Sequence, residues 1–254
     1  MMKIRQNLDI LGVLARKEIK TRYKNSVFGY FWSLANPVAF TLIFYFAFEV
    51  VFKAGVPKFI LFLMTGLFSW QWTANYVSSS TKLFVMNTSL IKKVNFPRYL
   101  IPLSVNIQDA FHFLLTIPIL FVIMYYYHID FKMNLIAGVP LIFISQFIML
   151  YGIGLFLACI NIFFRDIEHL TIIIMNMVFY ATPVLYPMQK LPDAFRPFVY
   201  CNIFAPTVLA WRSLLLEGHF SLTYIGLSYI YAGLALLLGT YTYKKLVWKI
   251  PELI

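Results

Sequence analysis

The chain has 254 residues, of which 61% are hydrophobic and only 12% are charged. A water-soluble domain usually carries about 45–50% apolar and about 25% charged residues, so this composition leaves too little charge to clothe a soluble fold. A spanning helix takes roughly 20 residues, so the length suits several membrane spans with short loops and leaves almost no room for a separate soluble catalytic domain.

The net charge is +11, from 21 Lys+Arg against 10 Asp+Glu. In a soluble protein such a balance would point to nucleic acid. Here the basic residues fall between long apolar runs, so orientation in an anionic membrane accounts for them and no nucleic-acid partner is expected. Two cysteines, Cys159 and Cys201, cannot build a disulfide framework or a four-thiolate metal site. The histidines at 112, 128, 169 and 219 form no HExxH pair or close cluster, so no metal site is expected. Met1–Lys24 carries seven basic residues and lacks the apolar core and small-residue cleavage site of a signal peptide.

In chain order, Leu8–Tyr23 reads as an amphipathic helix, with Leu8, Leu11, Ala15 and Ile19 at helical spacing and a basic opposite side suited to a headgroup layer. Asn7 is placed to cap it. The first span is expected over Ser33–Phe52, with Pro37 in its first turns, where a missing N–H costs least. The second, Phe59–Thr81, contains Gln71, Asn75 and the run Ser78–Ser80. Polar groups in hydrocarbon need partners, so one side of it should face protein or an aqueous path. Lys82–Arg98 is too charged to span and too apolar for a plain linker, which predicts a short helix on a partner or on the bilayer surface.

The third span, Tyr99–Tyr127, holds Asn106, Gln108, Asp109 and His112 in its first half, and Pro102 and Pro118 are expected to kink it. The fourth stretch, Asn134–Phe163, exceeds one untilted span, with Gly138-Val139-Pro140 placed to bend or end a piece of it, and Gly152 and Gly154 to let a neighbouring helix approach. The fifth, Leu170–Tyr186, is short for a span. Pro187–Phe220 has four prolines and apolar pieces too short to span, which predicts re-entrant or interfacial half-helices. The sixth span is Leu222–Tyr243. The fold class expected is therefore an all-α polytopic membrane protein. It forms one transmembrane domain over 1–254: a basic N-terminal region to residue 32, a six-span bundle over 33–243 and a tail over 244–254. With six spans, fifteen basic residues fall on the side of the termini and six on the other, which puts both termini in the cytoplasm.

No GxxxxGK[ST] run is present, so ATP binding through a phosphate-cradling loop is not expected in this chain. Asp109 and Glu49 are the acidic residues placed within apolar runs, near opposite faces of the membrane, and Asp109 is expected to pair with a basic residue in its own half. Aromatic residues make up 19% of the chain. Belts at the two interfaces explain many of them. Phe40, Phe44, Tyr45, Trp70, Trp72 and Tyr76 are candidates for a path whose ring faces stack against sugars, with residues 40 and 44 one helical turn apart.

Arg22–Pro37, RYKNSVFGYFWSLANP, resembles the signature at the start of the membrane subunits of polysaccharide-exporting ABC transporters, the type-2 export permeases. FFRDIEHL at Phe163–Leu170 and ATPVLYP at Ala181–Pro187 are similar to two further marks of that family, in the same order. The likeness runs over nearly the whole chain and is greatest to the branch that exports O-antigen glycans. Teichoic acid exporters are very similar, and permeases for small hydrophobic compounds are a more distant alternative.

The resemblance implies a homodimer with two copies of a separate ATP-binding subunit, which holds the ATP and Mg, and a lipid-linked glycan on an undecaprenyl-type carrier as substrate. It implies a cell inner membrane location. It places an interface helix at about Leu8–Lys24, a coupling helix within Lys82–Pro97 and re-entrant helices within Pro187–Leu216. Uptake of the glycan is expected at the cytoplasmic face, where Arg22, Lys24, Lys93 and Arg165 are candidate contacts for its pyrophosphate on charge grounds. The family often has a more basic run where Glu168 follows Arg165 here, so a salt-bridged turn with Asp166 or Glu168 as the partner of Arg165 is the other expectation for that loop.

Overall fold

The computed structural model describes residues 2–22, 31–53 and 55–253, and all regular structure among them is helical. The helices are α1 Met2–Arg22, α2 Phe31–Tyr45 with a π-helical continuation over Phe46–Val51, α3 Phe59–Ser80, α4 Leu83–Met86, α5 Thr88–Lys93 and α6 Leu100–Tyr126. They continue as α7 Asn134–Phe163, α8 Ile167–Ala181, α9 Arg196–Cys201, α10 Ala205–Leu215, α11 Leu222–Leu246 and α12 Ile250–Leu253.

Among the described residues, four helical stretches are long and apolar enough to cross a bilayer: Leu34–Val51, Leu100–Tyr126, Asn134–Phe163 and Leu222–Leu246. They answer to the first, third, fourth and sixth expected spans. The second, α3, has 22 residues, but its polar half from Ser69 to Ser80 lowers its mean hydropathy. The fifth, α8, has 15 residues, about 22 Å of helix, less than the roughly 30 Å of hydrocarbon.

Contacts between the long helices fix their directions. Trp72 of α3 stacks on Phe113 of α6, while Tyr76 reaches back to Pro102, so these two run antiparallel. Ser145 and Gly152 of α7 meet Ser228 and Ala235 of α11 in the same order, so these two run parallel. Lys82 pairs with Glu168 at 2.5 Å and Trp70 meets Phe179, which sets α8 antiparallel to α3. The basal end of the bundle is tied by that ion pair and by Arg98 Nη1, which donates to the Val247 carbonyl at 2.7 Å. At the distal end Lys132 lies against Gly218, whose φ is +62°, a left-handed turn that only glycine enters without strain.

Apolar side chains cannot lock helices in hydrocarbon by the hydrophobic effect, so close backbone approach and buried hydrogen bonds do so. Gly152 and Gly239 let α7 and α11 touch backbone to backbone: a Cβ on Gly152 would overlap the Ala235 and Leu236 main chain, and one on Gly239 would overlap the Gly152 carbonyl. Gln146, fully buried on α7, is the polar hub. Its Nε2 donates to the Ser69 carbonyl at 3.0 Å and to Thr73 Oγ1 at 3.1 Å, and its Oε1 accepts from Trp211 Nε1 at 2.8 Å, joining α3, α7 and α10.

The segment between α8 and α11 leaves and returns at the distal end, with α9 and α10 meeting at a bend of 107°. Arg212 of α10 holds it in place. Nη1 donates to the Pro183 carbonyl at 2.7 Å and Nη2 to the Val184 carbonyl at 2.9 Å, while the guanidinium lies 3.6 Å over the Phe62 ring. The prolines of ATPVLYP stop the helix ladder, and Arg212 supplies the donors that its freed carbonyls need.

Several local expectations change. α1 begins at Met2, so Asn7 lies inside it rather than capping it, and its side chain donates to Tyr99 Oη at 3.3 Å. Leu8 is exposed, and the inward face is Leu11, Leu14, Ala15 and Ile19. α7 runs unbroken through Gly138-Val139-Pro140; Pro140, its seventh residue, removes one backbone hydrogen bond that the rest of a 30-residue helix outweighs. Glu168 is paired with Lys82 across the basal end rather than with Arg165, because the antiparallel packing of α3 and α8 brings Lys82 to it. The linker expected as one short helix is two, α4 and α5.

Substituting Gly152 or Gly239 by Val should destabilise the purified protein by about 3 kcal/mol or more, because the obstructing atoms are backbone and cannot yield. Gly226→Ala and Gly233→Ala meet open space and should be neutral or stabilising by up to about 1 kcal/mol. Thermal unfolding in detergent, followed by size-exclusion fluorescence, compares the two pairs.

Candidate functional site

A polar concavity of about 550 Å³ opens between the end of α1 and helices α2, α3 and α6. Its polar groups converge because each helix presents them at helical spacing. Asp109, His112 and Thr116 share one face of α6, Gln71 and Asn75 are one turn apart on α3, and Trp32 and Asn36 are one turn apart on α2. The floor is aromatic: Trp72 stacks between Phe113 and Phe143, with ring centroids 5.0 Å and 5.1 Å away. The Trp72 indole N–H is buried without a partner among the described residues.

Asp109 is 5% exposed, and Arg22 at the end of α1 pairs with it through a short Nη1–Oδ1 contact. Asp109 lies nine residues along α6 from Leu100, about 14 Å into the helix. α1 therefore does not lie flat at the basal end but climbs along α6, from Asn7 beside Tyr99 to Arg22 beside Asp109. The pair cancels its own charge. What the cleft offers a ligand is an aromatic floor with amide and hydroxyl groups, both donors and acceptors. That combination, and the volume, match sites for polar, uncharged small groups such as sugar rings.

The residues singled out from sequence divide among several places. Trp72 and Arg22 line the cleft. Phe40 is 44% exposed and begins a chain of rings that runs inward from α2: Phe40 to Phe44 at 6.4 Å, Phe44 to Phe179 at 6.0 Å, Phe179 to Trp70 at 5.5 Å and Trp70 to Phe204 at 5.9 Å. Tyr45 packs on Phe59. Tyr76 is fully enclosed, donating to the Pro102 carbonyl at 3.1 Å and filling the gap over Gly154, so it packs helices rather than lining the cleft. Lys93 and Arg165 are exposed at the basal end, away from Arg22, so these cations do not form one cluster. Lys24 lies outside the described residues. Asn36 and Thr116 line the cleft without having been marked by sequence; their signal was their register with Trp32 and with Asp109.

The family described as ABC-2 type transporter matches residues 10–216. Two relatives from Klebsiella pneumoniae, each called O-antigen export system permease protein RfbA, are 37% and 36% identical over 257 aligned positions, covering 100% of this chain and 99% of theirs. A Myxococcus xanthus protein of the same name is 30% identical over 188 positions, 74% of this chain and 72% of its own. The chain belongs to the ABC-2 type transporter family, whose members are membrane subunits of transporters rather than ATPases.

Arg22→Ala should destabilise the protein by about 2 kcal/mol. It leaves a buried carboxylate unpaired, and the usual cost of about 3–5 kcal/mol is reduced because Arg22 is 36% exposed. Asp109→Asn keeps a neutral acceptor and should cost less, and Arg22→Ala with Asp109→Asn should cost less than the two single changes added. A double-mutant cycle read by thermal unfolding checks this; strict additivity would mean that the pair does not hold α1.

Proposed function

We propose that this family member is the permease subunit of an ATP-driven exporter that moves a lipid-linked polysaccharide of the O-antigen type from the cytoplasm to the outer side of the membrane. The observation that carries the reading is the similarity to O-antigen export permeases over the full length of both chains. It favours O-antigen glycans over the teichoic acid and small-molecule alternatives.

In this reading the whole of 1–254 is one transmembrane domain in the cell inner membrane. The six spans are α2, α3, α6, α7, α8 and α11, the basal end with both termini is cytoplasmic, and α9 and α10 form a re-entrant pair on the outer side. Support comes from the alternating directions of the long helices and from the basic excess at the basal end. The protein works as a homodimer with two ATP-binding subunits. ATP and Mg belong to those subunits, and this chain holds no cofactor. α1 is the interface helix, and α4 and α5 carry movement from the ATP-binding subunits to α3 and α6.

The uncharged, tryptophan-floored cleft suits sugar rings, and the ring series from Phe40 to Trp70 lies beside it on α2 and α3. Tyr45 extends that aromatic surface, whereas Tyr76 acts by fixing helix positions. Lys24, Lys93 and Arg165 attract the carrier's pyrophosphate at the cytoplasmic face. Arg22 can take part only where the pyrophosphate competes with Asp109. That competition gives the two states of the α1 contact different affinities for substrate, which coupled transport requires.

Deleting the gene should abolish surface polysaccharide and accumulate lipid-linked polymer inside the cell, and the full chain should restore export. Trp72→Ala should lower restored export about tenfold, as expected when a stacking face is lost, with the protein still present in the membrane. Electrophoresis of surface glycan beside extracted lipid-linked polymer reads both. Undiminished surface glycan in the deletion strain would contradict the reading.

A further inference from the structure

A second cavity, of about 560 Å³, lies at the distal end, remote from the cleft. The α2–α3 loop, the Pro187–Lys190 turn, the end of α10 and Tyr224 enclose it. Three cationic side chains line it, Lys58, Lys190 and Arg212, against one carboxylate, Glu217. Arg212 is 4% exposed. Two of its nitrogens hold main-chain carbonyls, its enclosed Nε has no partner among the described residues, and no carboxylate among them lies within ion-pair distance of it or of Lys58. The other nearby acid, Asp193, is taken by Arg196 at 2.8 Å.

The backbone adds to this field. Lys58 is the residue before α3, at φ +53°, and no side chain caps the helix. The unpaired N–H groups of the first turn of a 22-residue helix carry partial positive charge beside the same cavity. Glu217 acts on Arg212 across the cavity without reaching ion-pair distance, and a lining with a formal excess of two positive charges is complemented by a dianion. Of the three cationic residues that line the cavity, Lys58 and Lys190 are exposed and Arg212 is buried.

We propose that this cavity binds a phosphate or diphosphate dianion, with buried Arg212 and exposed Lys58 and Lys190 as its cationic contacts. Its place on the outer side rests on the export reading; the site itself does not. The dianion's chemistry has three possible sources: the diphosphate of a polyprenyl carrier leaving the path, the headgroup of a bulk acidic phospholipid, or soluble phosphate.

The test uses the full chain with its ATP-binding subunits in phosphatidylcholine nanodiscs. Lysines are acetylated with a sulfonated succinimidyl ester and quantified by mass spectrometry, with farnesyl diphosphate, phosphatidic acid or inorganic pyrophosphate as separate probes. At saturating probe, labelling of Lys58 and Lys190 should fall about fivefold or more, while Lys53 and Lys132, at the same end, stay unchanged. Protection by farnesyl diphosphate alone identifies the carrier, protection also by phosphatidic acid a general headgroup, and protection by pyrophosphate a soluble anion. Arg212→Gln should remove the protection. Because that change also frees the Pro183 and Val184 carbonyls, Lys58→Gln is the second variant, and it should weaken protection of Lys190 at least threefold. Equal protection of all four lysines, or of none, would overturn the site. Labelling does not need transport, so a complex that protects these lysines yet exports no glycan would refute the export reading and leave the cavity assigned.

Discussion

A carboxylate set well inside an apolar helix must find a cation, and Asp109 decides how the N-terminal part of the chain is held. The cation it finds is Arg22, the last residue of α1, which pulls the end of that helix up along α6. Once α1 is raised, its end closes one side of a cleft whose other walls are α2, α3 and α6. The pair also neutralises itself, so a site within the bundle can be polar without carrying a net charge. Under the proposed export function, an uncharged polar lining would tolerate a long, repetitive glycan better than a fixed charge, because each repeat would meet the same weak contacts.

The walls of that cleft are positioned by interactions that do not depend on apolar burial. Gln146 ties α3 and α10 to α7 through both ends of its amide, and the glycine contact locks α7 to α11. Arg212 fixes the end of α8 to α10 with two charge-assisted hydrogen bonds. Movement passed from the basal end would therefore travel through a framework cross-linked at its middle and at its distal end. The end of α1 is held by an ion pair whose cation is 36% exposed, while the Asn7–Tyr99 hydrogen bond and buried Leu14 and Ala15 hold the rest of the helix.

Much of this was legible in the sequence, and the remainder was hidden for definite reasons. Apolar length marked four spans, and the density of prolines marked the broken segment before α11, because both signals are local. The polar groups of α3 and α6 were visible as groups needing partners. Which partners they take depends on helix rotation and neighbours, so Gln146 as a hub and Asn36 as a cleft residue were not legible. Tyr76 resembles Trp72 in sequence and lies one turn further along the same face of α3, yet it packs over Gly154 while Trp72 floors the cleft, because the neighbouring helices differ at the two depths. Charge counting points Asp109 to a cation in its own half, but does not choose among the basic residues on that side. Glu168 takes Lys82, a neighbour in space that the packing of α3 on α8 supplies, over Arg165, a neighbour in sequence, and only the fold distinguishes the two.

The central claim is that this chain is the membrane half of an ATP-driven glycan exporter. The most direct measurement isolates the tagged chain from native membranes in mild detergent and determines its co-purifying proteins and their stoichiometry by mass spectrometry. The account predicts an ATP-binding subunit in equal number, two copies of each, with lipid-linked polysaccharide retained by the complex. A preparation that keeps other membrane complexes intact and yields the chain without any ATP-binding partner would contradict it.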